Sequence, residues 1–523
     1  MNIEKLHLKY LLRSHTIIGL FCLFLFYISS FFGAITLFLP YINAWETPSK
    51  HFKSTSNYHF NIDEHLDKLL TTNQFLTENI EITFPSFKDN RIQISALNQN
   101  SLYLNPNTNE VLTTKFEQKT VSDFFNILHF GANIPYIGQP LMGMASIGIL
   151  FLIISGLLLF IHNNKKEKQI LVKNYKKRWI QWHKYLGLTL LPFIFIFVIT
   201  GAFLGFMLFS STPFALSASN FEETNLRKLV APIIFKQKQN LPQNSTIVPM
   251  QKLSFLIQTA QENYPELKIQ KATIYNYNKE NSQVVFSGYL QDNKAISGRT
   301  NRMSITLKST TAEVLEKTTL ENTHSIKKAL SAFYYLHFIP DETFGLRVVF
   351  FVLSLSMMIC LVFGYLIWAE KKLKHINEIH YFNFLNRLSI ALMIGIIPST
   401  CFVLFLHWLL PFDTFDRDIW IKGCFYSLWA FTFFYAIYES IVLKSIKLFF
   451  ITSAVLLICT VLLHGLKTNL YFWESFQQKI LDIFYVDIAL LLFAAVFLLL
   501  GLNLHKIPSI QRFNKEEIYH YDS

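Results

Sequence analysis

Two stretches decide the architecture. His15-Thr16-Ile17-Ile18-Gly19-Leu20 is followed by Gly33-Ala34, and His183-Lys184-Tyr185-Leu186-Gly187-Leu188 is followed by Gly201-Ala202. In each, the Gly-Ala pair begins 18 residues after the histidine, and the two align without a gap at an offset of 168. A second pair repeats the device. Leu128-His129-Phe130 has Gly156 and Phe160 at 27 and 31 residues beyond the histidine. Leu336-His337-Phe338 has Gly364 and Trp368 at the same distances, an offset of 208. Residues 10–162 and 178–370 are therefore two copies of one unit: apolar helix, polar module, apolar helix. Both copies run the same way through a membrane, so a pseudo-twofold axis along the membrane normal relates them.

The remaining composition agrees with a membrane reading. Of 523 residues, 51% are apolar and 16% charged, with Lys+Arg 47 against Asp+Glu 35 and a net charge of +12. Soluble domains average about 25% charged residues. So much apolar surface excludes a mainly disordered chain. The basic residues stand in short blocks beside long apolar runs, which argues against nucleic acid as a partner and for a polytopic α-helical membrane protein. Cys22, Cys360, Cys401, Cys424 and Cys459 all lie in apolar runs and form no CxxC. That pattern excludes a disulfide framework, zinc fingers and Cys-ligated iron–sulfur clusters.

Eight runs approach the ~20 apolar residues that a spanning helix needs. They lie near 16–40, 138–162, 184–209, 347–368, 388–410, 419–439, 447–466 and 485–504. Residues 1–40 hold the first helix, 41–127 a polar module, 128–162 the second helix and 163–182 a basic loop. Residues 183–209 hold the third helix, 210–335 a second polar module, 336–370 the fourth helix and 386–505 a four-helix extension. The first helix is too long for a plain signal peptide and reads as retained. Lys5, Lys9 and Arg13, the loop from Lys165 to Arg178, Lys371 to Lys374, Lys444 and Lys447, and Lys506 and Arg512 all fall on one side. That side is the cytoplasm by the positive-inside rule, which puts both termini inside and both polar modules outside.

Each module reads as a small α+β unit, a helix followed by antiparallel strands. In the first, a helix near 62–71 precedes strands at Ile80–Phe84, Arg91–Ser95 and Ser101–Leu104. In the second, a helix from Met250 precedes strands at Lys268–Tyr275 and Ser282–Tyr289.

The repeated residues carry the chemistry. The axis sets His15 opposite His183 near the inner membrane boundary and His129 opposite His337 near the outer one. Facing imidazoles across a bundle suit bis-histidine ligation of haem b, and two such pairs imply two haems. Two ligands alone do not make a zinc site. The competing reading is four ordinary interfacial histidines. His407 and His464, at similar depth in the extension, could form a third pair, and His162 reads as interfacial or as an alternative ligand. Glu439 and Asp487 read as interfacial.

Trp182-His183-Lys184-Tyr185-Leu186-Gly187-Leu188 through Thr200-Gly201-Ala202 resembles the first membrane motif of the PepSY-associated transmembrane family. Leu128-His129-Phe130-Gly131, Gly143 and Ser155-Gly156-Leu157 resemble its second, over about residues 10–370. The first copy departs from the pattern, with Ser14 where the second has Trp182. The resemblance implies PepSY-like outward modules and a bacterial inner-membrane location. It also implies a role like that of haem-dependent ferrisiderophore reductases in iron uptake, passing electrons outward to a ferric siderophore or similar chelate. No dinucleotide or P-loop motif is present, so electrons would come from quinol or a separate cytoplasmic reductase. The alternatives are a cofactor-free PepSY binding or regulatory protein, or a transporter. The repeated spans lack the midplane charges that a transporter uses.

Overall fold

The computed structural model describes residues 3–53, 63, 79–96, 101–108, 110–113, 120–163, 175–206, 221–222, 246–298, 303–323, 325–339, 343–372, 379–439 and 441–506. The helix expected near 62–71, most of the basic loop 163–182, Lys374 and Arg512 lie outside them. The chain divides into two compact units. The first comprises Met1–Pro48, Phe116–Phe206 and Thr343–Ser523, and the second Ser49–Lys115 and Met207–Glu342.

In chain order, the helices are α1 (Ile3–Thr36), α2 (Leu39–Glu46), α3 (Val121–Phe130), α4 (Gly138–Asn163), α5 (Tyr175–Thr189), α6 (Leu191–Phe206), α7 (Leu253–Asn263), α8 (Ala295–Gly298), α9 (Ser325–Phe338) and α10 (Phe344–Lys372). The extension adds α11 (Ile379–Met393), α12 (Ile396–Leu409), α13 (Arg417–Tyr438), α14 (Val442–Thr468), α15 (Phe472–Gln477) and α16 (Leu481–Asn503).

Six stretches among the described residues are long and apolar enough to cross a membrane. They are Leu6–Thr36, Gly138–His162, Phe344–Lys371, Phe384–Leu409, Val442–Thr468 and Leu481–Asn503. A seventh is the pair Lys176–Thr189 and Leu191–Phe206, bent by 68°. Eight straight spans were expected, and two differences have physical causes. Pro192 lies in the first turn of α6, where it cannot donate to the carbonyl four residues back, so the span breaks there. The 22-residue α13 is less apolar than the others, because Arg417, Asp418 and Lys422 open it and Tyr426, Trp429, Tyr435 and Tyr438 follow.

The reading of 128–162 as one continuous helix is also corrected. The chain breaks at Gly131, which ends α3 in a left-handed conformation at φ 79°. A Cβ there would stand 2.7 Å from the Gly138 carbonyl oxygen, so only glycine fits the turn. The second copy breaks at the same place, between α9 and α10.

The extension is not a separate appendage. Phe32, Trp45, Phe124 and Phe125 share one buried core with Ile396, Trp408, Phe425 and Ile483 of the extension helices.

In the second unit the two polar segments merge. Strands β1 (Ile80–Thr83), β2 (Ile92–Ala96), β3 (Leu102–Leu104), β4 (Leu267–Tyr275), β5 (Gln283–Leu290), β6 (Met303–Lys308) and β7 (Val314–Thr318) form one antiparallel sheet of order β3-β2-β1-β4-β5-β6-β7. The seam is β1 against β4, with Ile80 opposite Ile274 and Ile82 opposite Ala272. Period-two burial puts Ile80, Ile82, Ile92, Ile94, Val284 and Phe286 into one core with Leu253 and Leu256 of α7. Strands β6 and β7 were not anticipated.

Near β2, Asp89 holds two buried cations. Lys50 lies 3.0 Å away, and Arg91 reaches both carboxylate oxygens at 3.0 Å. Burial pushes the Asp89 carboxyl up, but the Arg91 hydrogen bonds and the Lys50 charge outweigh it and hold it below its usual value. Its contribution is thus present above the ordinary aspartate range and is lost as pH falls through the lowered value. Asp89→Ala removes the carboxylate that Lys50 and Arg91 share, and is expected to cost about 3 kcal/mol. Denaturant unfolding of the variant should show the loss, and an unchanged midpoint would remove Asp89 from this role.

Candidate functional site

His15 lies in the fourth turn of α1 and His183 in the third of α5, the first helices of the two copies. Their ring centroids are 6.5 Å apart, with planes at 82°. Each ring is fastened through Nδ1. His15 Nδ1 meets Ser155 Oγ at 2.9 Å, and His183 Nδ1–H donates to the Cys360 carbonyl at 2.9 Å. Ser155 donates its own proton to the Phe151 carbonyl at 2.8 Å, so its oxygen accepts from His15. Both anchors come from the second helix of the same copy.

The repeated glycines seat these rings. A Cβ on Gly156 would stand 3.4 Å from His15 Cε1, and one on Gly364 3.2 Å from His183 Cε1. Gly364 thus makes room for His183, while at Gly156 a side chain would meet His15 at ordinary van der Waals distance.

With Nδ1–H engaged, Nε2 keeps its lone pair on both rings. That is the state of a metal-binding histidine, whose other nitrogen is held by a carbonyl or hydroxyl. Two in-line metal–imidazole bonds of about 2 Å, plus about 1 Å from each nitrogen to its ring centre, sum to about 6 Å. The 6.5 Å centroid separation is of the length such a bridge needs. Among the described residues no group of three or more His, Cys, Asp and Glu could hold a metal ion.

His129, in the last turn of α3, is seated the same way. Its Nδ1–H donates to the Ser29 carbonyl at 2.8 Å, and its own carbonyl accepts from Ser29 Oγ at 2.9 Å. A Cβ on Gly33 would stand 2.8 Å from His129 Cε1 and 2.9 Å from Nδ1. His15 and Gly33 lie 18 residues apart on the continuous α1, about 27 Å at ~1.5 Å per residue. The two seats are thus nearly a hydrocarbon thickness apart. His337 lies half-buried on α9 in the second unit, edge-on to Phe338 at 5.4 Å. Its pairing with His129 rests on the repeat.

His407 and His464 are different. Both are fully buried. His407 Nε2–H donates to the Glu46 carbonyl at 2.9 Å, and Arg417 approaches Nδ1 at 3.4 Å. That is the opposite tautomer, with both nitrogens occupied, so His407 is no ligand. His464 Nδ1 lies 3.0 Å from Asp487, whose other oxygen accepts from Trp45 Nε1 at 2.9 Å. Asp487 is therefore fully buried rather than interfacial. Nearby, Glu46 accepts from the backbone N–H groups of Val121 and Ser122 at 2.7 and 3.3 Å, at the N-terminus of α3. Trp45, Trp408 and His464 pack around this cluster, tilted or edge-on to one another with centroids 4.8–5.3 Å apart. It ties α2 and α3 to the extension. His407→Ala is expected to lower stability by about 2 kcal/mol by stranding buried polar groups, and to leave metal-group binding unchanged. Thermal unfolding with cofactor stoichiometry checks both, and a loss of cofactor would restore His407 as a candidate ligand.

The anchors Ser29, Ser155 and the Cys360 carbonyl went unassigned in the sequence. Ser155 precedes Gly156 within the repeated motif, but one of two copies has a serine there, so repetition could not flag it. His162 is exposed at the end of α4.

No curated protein matches the chain. The family model described as PepSY-associated TM region matches residues 12–371, which takes in both helix pairs and both polar segments. With the match extending over more than half its length, the chain belongs to the PepSY-associated TM region family.

Proposed function

We propose that this membrane protein is a haem-b-dependent reductase that passes electrons across the bilayer to a ferric chelate such as a siderophore complex. His15 and His183 would hold one haem through Nε2, and the sequence repeat assigns His129 and His337 to a second. The observation that carries the reading is the His15–His183 pair, with rings 6.5 Å apart and both Nδ1 atoms turned to fixed acceptors. Haem bound there supplies reversible one-electron transfer, which needs no moving part in the protein. Gly364 leaves space for the His183 ring, while Ser155 and the Cys360 carbonyl fix the orientation of the two rings. Apolar side chains around α1, α4, α5 and α10 exclude water. The donor is quinol or a separate cytoplasmic reductase, since the chain has no nucleotide-binding motif. The location is the bacterial inner membrane, with the polar modules facing outward. Proteoliposomes with a reductant sealed inside test the function: ferric chelate outside should become ferrous with the native protein and not with His15→Ala/His183→Ala. Equal rates in both would reject it.

A further inference from the structure

The two imidazoles of the His15–His183 site are fastened unequally. In the second copy, His183 Nδ1–H donates straight to the Cys360 carbonyl at 2.9 Å. The 208-residue offset between second helices maps Cys360 onto Leu152. In the first copy, His15 does not take the Leu152 carbonyl. It meets Ser155 Oγ at 2.9 Å, and that hydroxyl donates onward to the carbonyls of Phe151 at 2.8 Å and Leu152 at 3.3 Å. The hydroxyl thus stands between the ring and the backbone acceptor that its counterpart reaches directly. The glycine seats agree: Nδ1 of His15 is 4.0 Å from a Cβ built on Gly156, and Nδ1 of His183 is 3.5 Å from one on Gly364. The repeat also shows what made room. Phe363 occupies the position of Ser155 in the second copy, stacked on Trp182 with centroids 6.4 Å apart. The first copy has Ser14 and Ser155 at those two places.

We propose that Ser155 is a positioning residue for the His15 ligand. Its hydroxyl relays a backbone hydrogen bond to the imidazole and makes the two axial ligands unequal donors. This rests on the reading of His15 and His183 as haem ligands. An N–H held by an acceptor makes its imidazole a stronger donor to the metal. A hydroxyl that already donates to a carbonyl is polarised and accepts more strongly. On the His183 side the nearer acceptor is the Cys360 carbonyl, with the Cys360 thiol at 3.5 Å, and no side-chain change removes that carbonyl. On the His15 side it is one side chain, 1% exposed. The principal acceptor can therefore be removed by substitution on the His15 side and not on the His183 side.

The test uses the full-length purified protein in two variants, read by spin state and by the midpoint potential of each haem. Removing an outer partner of a metal-bound histidine typically costs about tenfold or more in metal affinity. The weakened donor favours the ferric form less. A loss tenfold larger for the ferric than for the ferrous form raises a midpoint by about 60 mV, so Ser155→Ala should raise one midpoint by about that much or leave that haem partly high-spin. Ser155→Thr keeps the hydroxyl and should return the native values. If Ser155→Ala does not fold, Ser155→Cys, similar in volume and a weaker acceptor, carries the same comparison. Native spin state and midpoints in the hydroxyl-free variant would overturn the proposal, leaving Ser155 as a space-filling residue. A native protein that binds no haem would instead reject the ligand reading itself, and this inference with it.

Discussion

His183→Ala is expected to halve the haem bound per protein and to abolish ferric reduction, while the chain stays folded. The imidazole leaves behind the Gly364 seat and a Cys360 carbonyl that can still bond within its helix. The stability cost should therefore be about 1 kcal/mol, typical of one lost hydrogen bond. The haem loss is far larger, because a single remaining histidine at His15 cannot hold both axial positions. Pyridine-haemochrome assay against protein concentration measures the ratio, and size-exclusion chromatography reports the fold. The His407→Ala variant is the internal contrast, because it should lose stability and keep haem. A His183→Ala protein with the native ratio would return His183 to a packing role.

Gly33→Ala should remove the other haem and spare the first. The added methyl would lie 2.8 Å from His129 Cε1 and 2.9 Å from Nδ1. Contacts that short force the ring off its seat and break the 2.8 Å Nδ1–H bond to the Ser29 carbonyl. The seat of His15 is about 27 Å away along α1, at ~1.5 Å per residue, so it should not feel the change. The ratio is expected to fall by half, with the remaining haem unchanged in spectrum and midpoint. A Gly33→Ala protein that keeps its full complement would mean that the ring can shift without losing its ligand, and that the glycine serves helix packing alone.

The sequence carried the parts of the site that are repeated and hid the parts that are not. His15, His183, Gly156 and Gly364 stood out because each copy holds one of each, and the structure brings each glycine to the histidine of its partner helix. Ser155 and the Cys360 carbonyl escaped notice because the copies solve the same anchoring problem differently, one with a side chain and one with backbone. The break between α3 and α4 was signalled by Gly131, but the apolar run around it read as one helix. Pro192 likewise gave a visible reason for the α5–α6 bend. Asp487 was misplaced for another reason. A carboxylate near a helix end is usually solvated, and its burial depends on Trp45 and His464, which hydrophobic patterning cannot pair with it. The merged sheet had a similar cause. The β1–β4 seam joins segments separated by a membrane-helix pair, and strand alternation alone does not choose partners across such a gap.

The most direct measurement is the reduced-minus-oxidised absorption spectrum of the purified, full-length protein, with haem counted per chain. The expected result is a low-spin haem b spectrum with a sharp reduced α-band and about two haems per chain, falling to about one in His15→Ala/His183→Ala. A purified native protein with no haem band, or a double variant with the native spectrum and ratio, would contradict the ligand assignment and with it the proposed electron path.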